Sequence, residues 1–170
     1  MKINIKETAV FAMLGTLMYA SKVLMQALPN IHLLGMLIMT ITLVYRAKAL
    51  YPLYIYVFLE GLMGGFSTWW IPYLYVWTVL WGLTMLLPKN MPNKVKPIVY
   101  IIVCALHGFL FGVLYAPVQA LVFGLDFKGM IAWIAAGFTF DVIHGISNLL
   151  CGTLICPLVS LLKRIEKITQ

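Results

Sequence analysis

Charged side chains are scarce in this sequence: Asp, Glu, Lys and Arg make up 10% of its 170 residues, and only five are acidic. A soluble domain carries about 25%, so these few cannot cover a water-facing surface. No glycine-rich phosphate loop is present, which excludes a built-in nucleotide motor of that type. The three cysteines, Cys104, Cys151 and Cys156, all sit within apolar runs and not in paired exposed loops. That pattern argues against an oxidised extracellular scaffold and for buried structural thiols. No internal repeat is visible, so an inverted-repeat carrier has little support.

What the chain does have is apolar. Hydrophobic residues make up 63% and mean hydropathy is +0.99. The spacing predicts one all-α domain over 1–170, an integral membrane bundle of six transmembrane helices at about 5–27, 31–45, 49–66, 70–87, 97–115 and 130–162. The second run is short for a bilayer that needs ~20 residues, which places it inside the bundle or in a locally thin region. Pro117 is expected to bend or end the fifth span. The sixth is longer than the bilayer. Met18-Tyr19-Ala20-Ser21 is a poor cleavage site, so the first run is expected to be kept as a span.

Ten of the twelve Lys and Arg fall where this topology puts them on one side. Lys2 and Lys6 precede the first span, Arg46 and Lys48 follow the second, Lys89, Lys94 and Lys96 the fourth, and Lys163, Arg164 and Lys167 the sixth. Only Lys22 and Lys128 lie elsewhere. Basic short loops stay cytoplasmic, so both termini are predicted inside. The pI of about 9.4 is then a topology signal. A nucleic-acid footprint would gather the charge on one soluble face, and no nucleic-acid partner is expected.

Small residues recur at helix-packing intervals. Thr8, Ala12, Thr16 and Ala20 form a stripe along the first span, Gly61 and Gly65 a pair in the third, Gly108 and Gly112 a pair in the fifth. Close backbone approach supplies much of helix association in lipid. Internal packing is the simpler reading of the glycine pairs. For the first-span stripe, internal packing and docking to another membrane subunit both remain open.

Ionisable groups inside a bilayer are costly and face a cavity or a partner. Glu60, His107 and Asp141 each fall about ten or eleven residues into a span, ~16 Å at 1.5 Å per residue. His144 and Asn148 follow Asp141 at i+3 and i+7 on the same helix face. A common polar cavity is the economical expectation. The alternatives are an Asp141–His144 pair and a His107 bonded to a backbone carbonyl, while Glu60 has no obvious local partner.

Lys22 and Gln26 sit one turn apart toward the outer end, beside Asn30 and His32. Near them come Trp69, Trp70, Tyr73, Tyr75, Trp77 and Trp81, denser than an interfacial belt requires. They suit stacking on a planar ligand, with Gln119 and Asn148 as orienting hydrogen-bond groups in an outward-facing, aromatic-walled site. His32, His107, His144, Glu60 and Asp141 are ligand types for a divalent ion, but they lie on separate segments with no short motif. No metal and no cofactor is expected. No nucleophile-elbow signature surrounds any serine. Two rivals to a binding protein stay open: an intramembrane enzyme using Glu60, His107, Asp141 and His144 as acid and base, and an assembly protein whose polar groups are structural.

A six-span chain of this size with both termini inside and no motor of its own resembles the substrate-capture S component of energy-coupling factor (ECF) transporters, a vitamin-uptake type of ABC transporter. The resemblance covers nearly the whole chain and is general, not motif-specific. It rests on Lys6-Glu7-Thr8-Ala9 opening a first span rich in small residues, a short second span followed by Arg46 and Lys48, and a long last span ending in Lys163-Arg164. It implies a non-enzymatic subunit of the bacterial cytoplasmic membrane that binds a small-molecule micronutrient from outside. Such subunits dock through span one onto a membrane T component carrying two ATP-binding subunits and topple to release substrate. The family's Ala-x-x-x-Ala docking element has its nearest match here in Ala12-x-x-x-Thr16. Aromatic walls with Glu60 and Asp141 suit a planar heterocycle with N–H donors or a cationic ring, such as an aminopyrimidine, a pterin-like or deazaguanine base, or a larger corrinoid.

Overall fold

The computed structural model describes residues 3–169, with the side chains of residues 168 and 169 set aside. Lys2, assigned above to the basic inner side, lies outside them. The protein is 79% helical, with no strand among the described residues. Its helices are α1 (Ile5–Leu24), α2 (Leu34–Tyr45), α3 (Leu50–Gly64), α4 (Tyr73–Leu86), α5 (Lys96–Phe109), α6 (Phe111–Phe123), α7 (Phe127–Gly152) and α8 (Ile155–Thr169). Three stretches are long and apolar enough to cross a membrane: Leu34–Gly64, Lys96–Phe123 and Phe127–Gly152. Large apolar side chains such as Ile5, Leu24, Leu86 and Leu121 stand fully exposed. Such a surface suits lipid.

Helix α2 is the centre of the bundle. Eight of its residues, from Leu34 to Thr42, are buried, and it touches α1, α4, α5, α7 and α8. No polar face is needed on a helix surrounded by others. Its buried Thr42 hydroxyl donates to the Ile38 carbonyl at 2.7 Å, which satisfies the group without a partner helix. Of the two placements expected for the short second run, the interior one holds. The helical stretch through Leu34–Gly64 is not one rod, because Arg46 takes φ 53° and a 3-10 turn, Arg46–Ala49, redirects the chain into α3.

Helix α1 starts at Asn4, whose side chain accepts from the Glu7 N–H at 2.8 Å while the Glu7 carboxylate accepts from the Asn4 N–H. It packs on α3 through Phe11, Gly15, Met18 and Ser21. Gly15 is the close contact, since a Cβ there would lie 2.9 Å from the Pro52 carbonyl oxygen and collide with Ile55. The stripe expected to pack or dock points elsewhere: Thr8, Ala12 and Thr16 are exposed and Ala20 half-buried. Internal packing is therefore not what most of this stripe does. The Gly61/Gly65 pair is also not a helix seam. Gly61 makes room for the Phe66 and Trp70 rings of the following loop, and Gly65, at φ 87°, turns the chain out of α3.

The fifth and sixth spans differ from expectation. Pro117 does not end the fifth, which continues to Phe123 with Pro117 inside α6. The break comes earlier, at Leu110, where the Gly112 N–H leaves the helical ladder and donates to Asp141 Oδ1 on α7 at 2.9 Å. The sixth run, expected as one helix over 130–162, is two, because the chain turns at Thr153–Leu154 before α8. Pro157 falls in the first turn of α8, where a missing N–H does no harm. Gly108 seats α5 on α7: a Cβ there would lie 2.9 Å from both Gly145 Cα and the His144 carbonyl oxygen. Since both obstacles are backbone, Gly108→Ala is expected to destabilise the protein by about 1–3 kcal/mol, read as a lowered melting temperature in detergent. Gly82, with open space around it, is the matched control, and Gly82→Ala should leave stability unchanged or slightly raised.

The basic loops converge at one end. Arg46, Lys89, Lys96 and Lys163, from three separate stretches of the chain, line a single cleft there. Lys48 pairs with Glu7 and brings the start of α1 to its own turn. Of the cysteines, Cys104 is buried as expected, whereas Cys151 and Cys156 are half-buried; all three are free.

Candidate functional site

At the opposite end of α2, two hollows adjoin one another. One, of about 180 Å³, is lined by Lys22, Gln26, Asn30, His32, Tyr73, Phe111 and His144 among others. The other, of about 340 Å³, is lined by Tyr19, Lys22, Gln26, Glu60, Met63 and Trp69. Lys22 and Gln26 belong to both. The helices that bring these groups together are α1, α3, α4, α6 and α7, with the Pro29-Asn30 turn leading into α2.

The Lys22 ammonium pairs with Glu60, a carboxylate that is only 5% exposed. The same ammonium lies 5.4 Å from the Tyr73 ring centroid and 5.9 Å from that of Trp69, within the range of a cation–π contact. Glu60, for which the sequence offered no partner, is thus held by the previous helix hairpin. Its other oxygen, Oε1, is buried near the Tyr56 hydroxyl, and neither makes a hydrogen bond of standard length.

The wall of the smaller hollow is a cluster of rings. His32 meets His144 edge-on at 4.5 Å and Trp77 at 5.9 Å, while Phe111 lies 4.9 Å from His144 and 5.3 Å from Trp77. Tyr73 joins at 5.7 Å from Trp77. Within this cluster His32 Nδ1 and His144 Nε2, on residues that line the hollow, are buried and have no hydrogen-bond partner; the same holds for Nε1 of Trp77, which packs behind them and lines neither hollow. An unpaired buried polar atom costs about 1–3 kcal/mol. Two at one hollow are an arrangement that a hydrogen-bonding guest relieves.

The remaining residues singled out from the sequence have other placements. His107 sits behind Trp77 and bonds through Nε2 to the Val76 carbonyl at 3.0 Å, the backbone contact foreseen as its alternative, while its Nδ1 is buried and unpartnered. Asp141 and His144 do not pair. Asp141 accepts from Gly112, and His144 turns to His32 and Phe111. Asn148 donates to the Cys104 carbonyl at 3.0 Å, between Gly35 and Gly108. Trp70 donates to the Val57 carbonyl at 2.7 Å, pinning its loop to α3. Gln119 is buried on α6 and lines neither hollow. The single polar cavity expected for Glu60, His107, Asp141 and His144 is therefore not formed; Glu60 lines one hollow, His144 the other, and His107 and Asp141 neither. Among the described residues, no group of three or more His, Cys, Asp or Glu side chains is placed to hold a metal ion.

Two contributors went unassigned in the sequence. Phe111 touches Tyr73, Trp77, His107, Tyr115 and His144. Its signal was present as the aromatic one turn beyond His107. His32 was noted for its neighbours but not placed in the site; its lone imidazole next to the Pro29-Asn30 turn is the kind of group a turn aims inward. In comparison with known proteins, the chain matches no family model, no curated protein and no solved structure.

Proposed function

We propose that this chain is a substrate-capture subunit of the ECF type, binding a planar heterocyclic micronutrient in the ring-walled hollow. The observation that carries this is the pair His32 Nδ1 and His144 Nε2, buried and unpartnered on two residues that line one small cavity, with Trp77 packed behind them. Stacking surfaces with a few orienting polar groups are what a small-molecule site needs. An assembly protein would use an exposed face but would leave the hollow without purpose.

In this proposal α1, α2, α3, α4, α5–α6 and α7–α8 cross the bacterial cytoplasmic membrane six times. The cleft of Arg46, Lys89, Lys96 and Lys163 lies on the cytoplasmic side with both termini, and the hollow faces out. The exposed Thr8, Ala12 and Thr16, with Ala20, then form the face that docks onto a T component carrying two ATP-binding subunits. Ala12→Trp is expected to abolish co-purification with a T component and cut uptake at least ten-fold, with ligand affinity unchanged; intact co-purification and uptake would remove the docking role.

The direct test of capture is native mass spectrometry of the protein extracted gently from its own host. A small heterocycle released on denaturation, and lost in Trp77→Ala, is the expected result. Repeated recovery of the empty chain in firm association with other membrane proteins would instead favour assembly.

A further inference from the structure

The charge of the captured molecule can be read from the side chains that reach the smaller hollow. In the sequence, Glu60 and Asp141 suit a cationic ring. In the folded chain neither acid lines that hollow. Asp141 accepts from Gly112 and lines neither hollow, and Glu60 lines only the larger one, where it is buried and paired with Lys22. The polar groups that do line the smaller hollow are Lys22, Gln26, Asn30, His32 and His144, with one full positive charge and no carboxylate.

The Lys22 ammonium is placed to meet a guest. It is one of two cations in the sequence that the basic inner loops do not account for, so membrane orientation does not explain it. Glu60 and the rings of Tyr73 and Trp69 fix its position. An ammonium has three N–H donors, and Glu60 is the one hydrogen-bond acceptor that this one meets among the described residues. The side chain remains 33% exposed. Its other donors are therefore free at the boundary of the two hollows, both of which it lines. In the same wall His32 Nδ1 and His144 Nε2 are buried without partners, and a neutral imidazole donates from either nitrogen. An ammonium beside two imidazoles matches an oxygen anion. One ammonium without a guanidinium suits the single charge of a carboxylate better than a phosphate dianion.

We infer that the captured heterocycle carries a carboxylate, which Lys22 binds where the two hollows adjoin while the ring lies against Tyr73 and Phe111. Glu60 is the counter-charge that holds Lys22 in place and does not itself touch the ligand. The inference rests on the capture function proposed above and narrows its substrate class.

The test uses three probes with one ring and three charges: pyridine-3-carboxylate, pyridine-3-carboxamide and 3-(aminomethyl)pyridine. Each is titrated into the full chain in mild non-ionic detergent and read by calorimetry. The carboxylate is expected to bind about ten-fold or more tighter than the carboxamide, and the amine most weakly. The double variant Lys22→Met/Glu60→Leu, which removes both charges of the pair and so avoids an unpaired buried acid, should bind carboxylate and carboxamide equally. Lys128→Gln, outside both hollows, should leave all three affinities unchanged. A carboxamide as tight as the carboxylate, or a carboxylate preference that survives in the double variant, would overturn the inference. So would an amine that binds tightest, which would return the site to a cationic ring seated on Glu60. If none of the probes binds, the molecule recovered from the host by native mass spectrometry decides. An acid that loses carbon dioxide on fragmentation supports the inference. A neutral or cationic heterocycle overturns it and leaves capture standing, whereas the absence of any heterocycle overturns both.

Discussion

Lys22→Met is expected to destabilise the protein by about 3 kcal/mol, and adding Glu60→Leu in the same chain to recover most of that loss. The reason is the asymmetry of the pair. Glu60 is 5% exposed and Lys22 33% exposed, so removing the cation leaves a carboxylate in an apolar interior with one oxygen already lacking a hydrogen bond of standard length. A buried pair can be replaced by apolar groups at little cost, whereas half of it cannot be left behind. The partial exposure of Lys22 places the effect toward the lower end of what such breakage costs. Melting temperatures of the wild type, both single variants and the double variant in one detergent form the required cycle. A double variant no more stable than Lys22→Met would show that the two groups act independently, and the interpretation of Glu60 as a paired carboxylate would fail.

Trp77→Ala should cost about 3–5 kcal/mol of stability, as large aromatic truncations in cores do. Trp77 is 1% exposed and meets five rings, those of His32, Tyr56, Tyr73, His107 and Phe111. The more telling substitution is Trp77→Phe. Phenylalanine keeps most of the ring volume, so stability should change by no more than about 1.5 kcal/mol. It removes Nε1, a buried N–H without a partner behind the ring wall of the smaller hollow. If that N–H serves the captured molecule, ligand affinity in Trp77→Phe should drop by about 1–3 kcal/mol. Unchanged affinity, measured by calorimetry on the ligand recovered from the host, would make Trp77 a wall and nothing more.

Much of this fold was legible because lipid imposes simple rules. The scarcity of charge gave helices, and the basic loops gave an end at which Arg46, Lys89, Lys96 and Lys163 do converge. The shortness of the second run left an interior helix and a locally thin region both open, and α2 is interior. Helix breaks were harder to see. The turn at Thr153–Leu154 was hinted at by Gly152 and Pro157 but was hidden in a continuous apolar run. The break at Leu110 was hidden because the group that meets its freed N–H is a carboxylate on another helix. The same distinction separates the site residues. Aromatic density near the outer turn found Tyr73 and Trp77. No spacing rule could tell that Glu60 pairs with Lys22 across 38 residues, or that Asp141 turns away from His144 to a backbone N–H.

The bond from Gly112 to Asp141 has a consequence in time as well as in space. Its two ends are 29 residues apart and belong to consecutive helices. A growing chain therefore needs nothing beyond the α6–α7 hairpin to give this acid a hydrogen-bond donor, and short sequence separations close early. Asp141 is spared a long wait as an unbonded buried carboxylate while distant partners are sorted. Glu60 has the same advantage by the opposite order of synthesis, since Lys22 has left the ribosome before it.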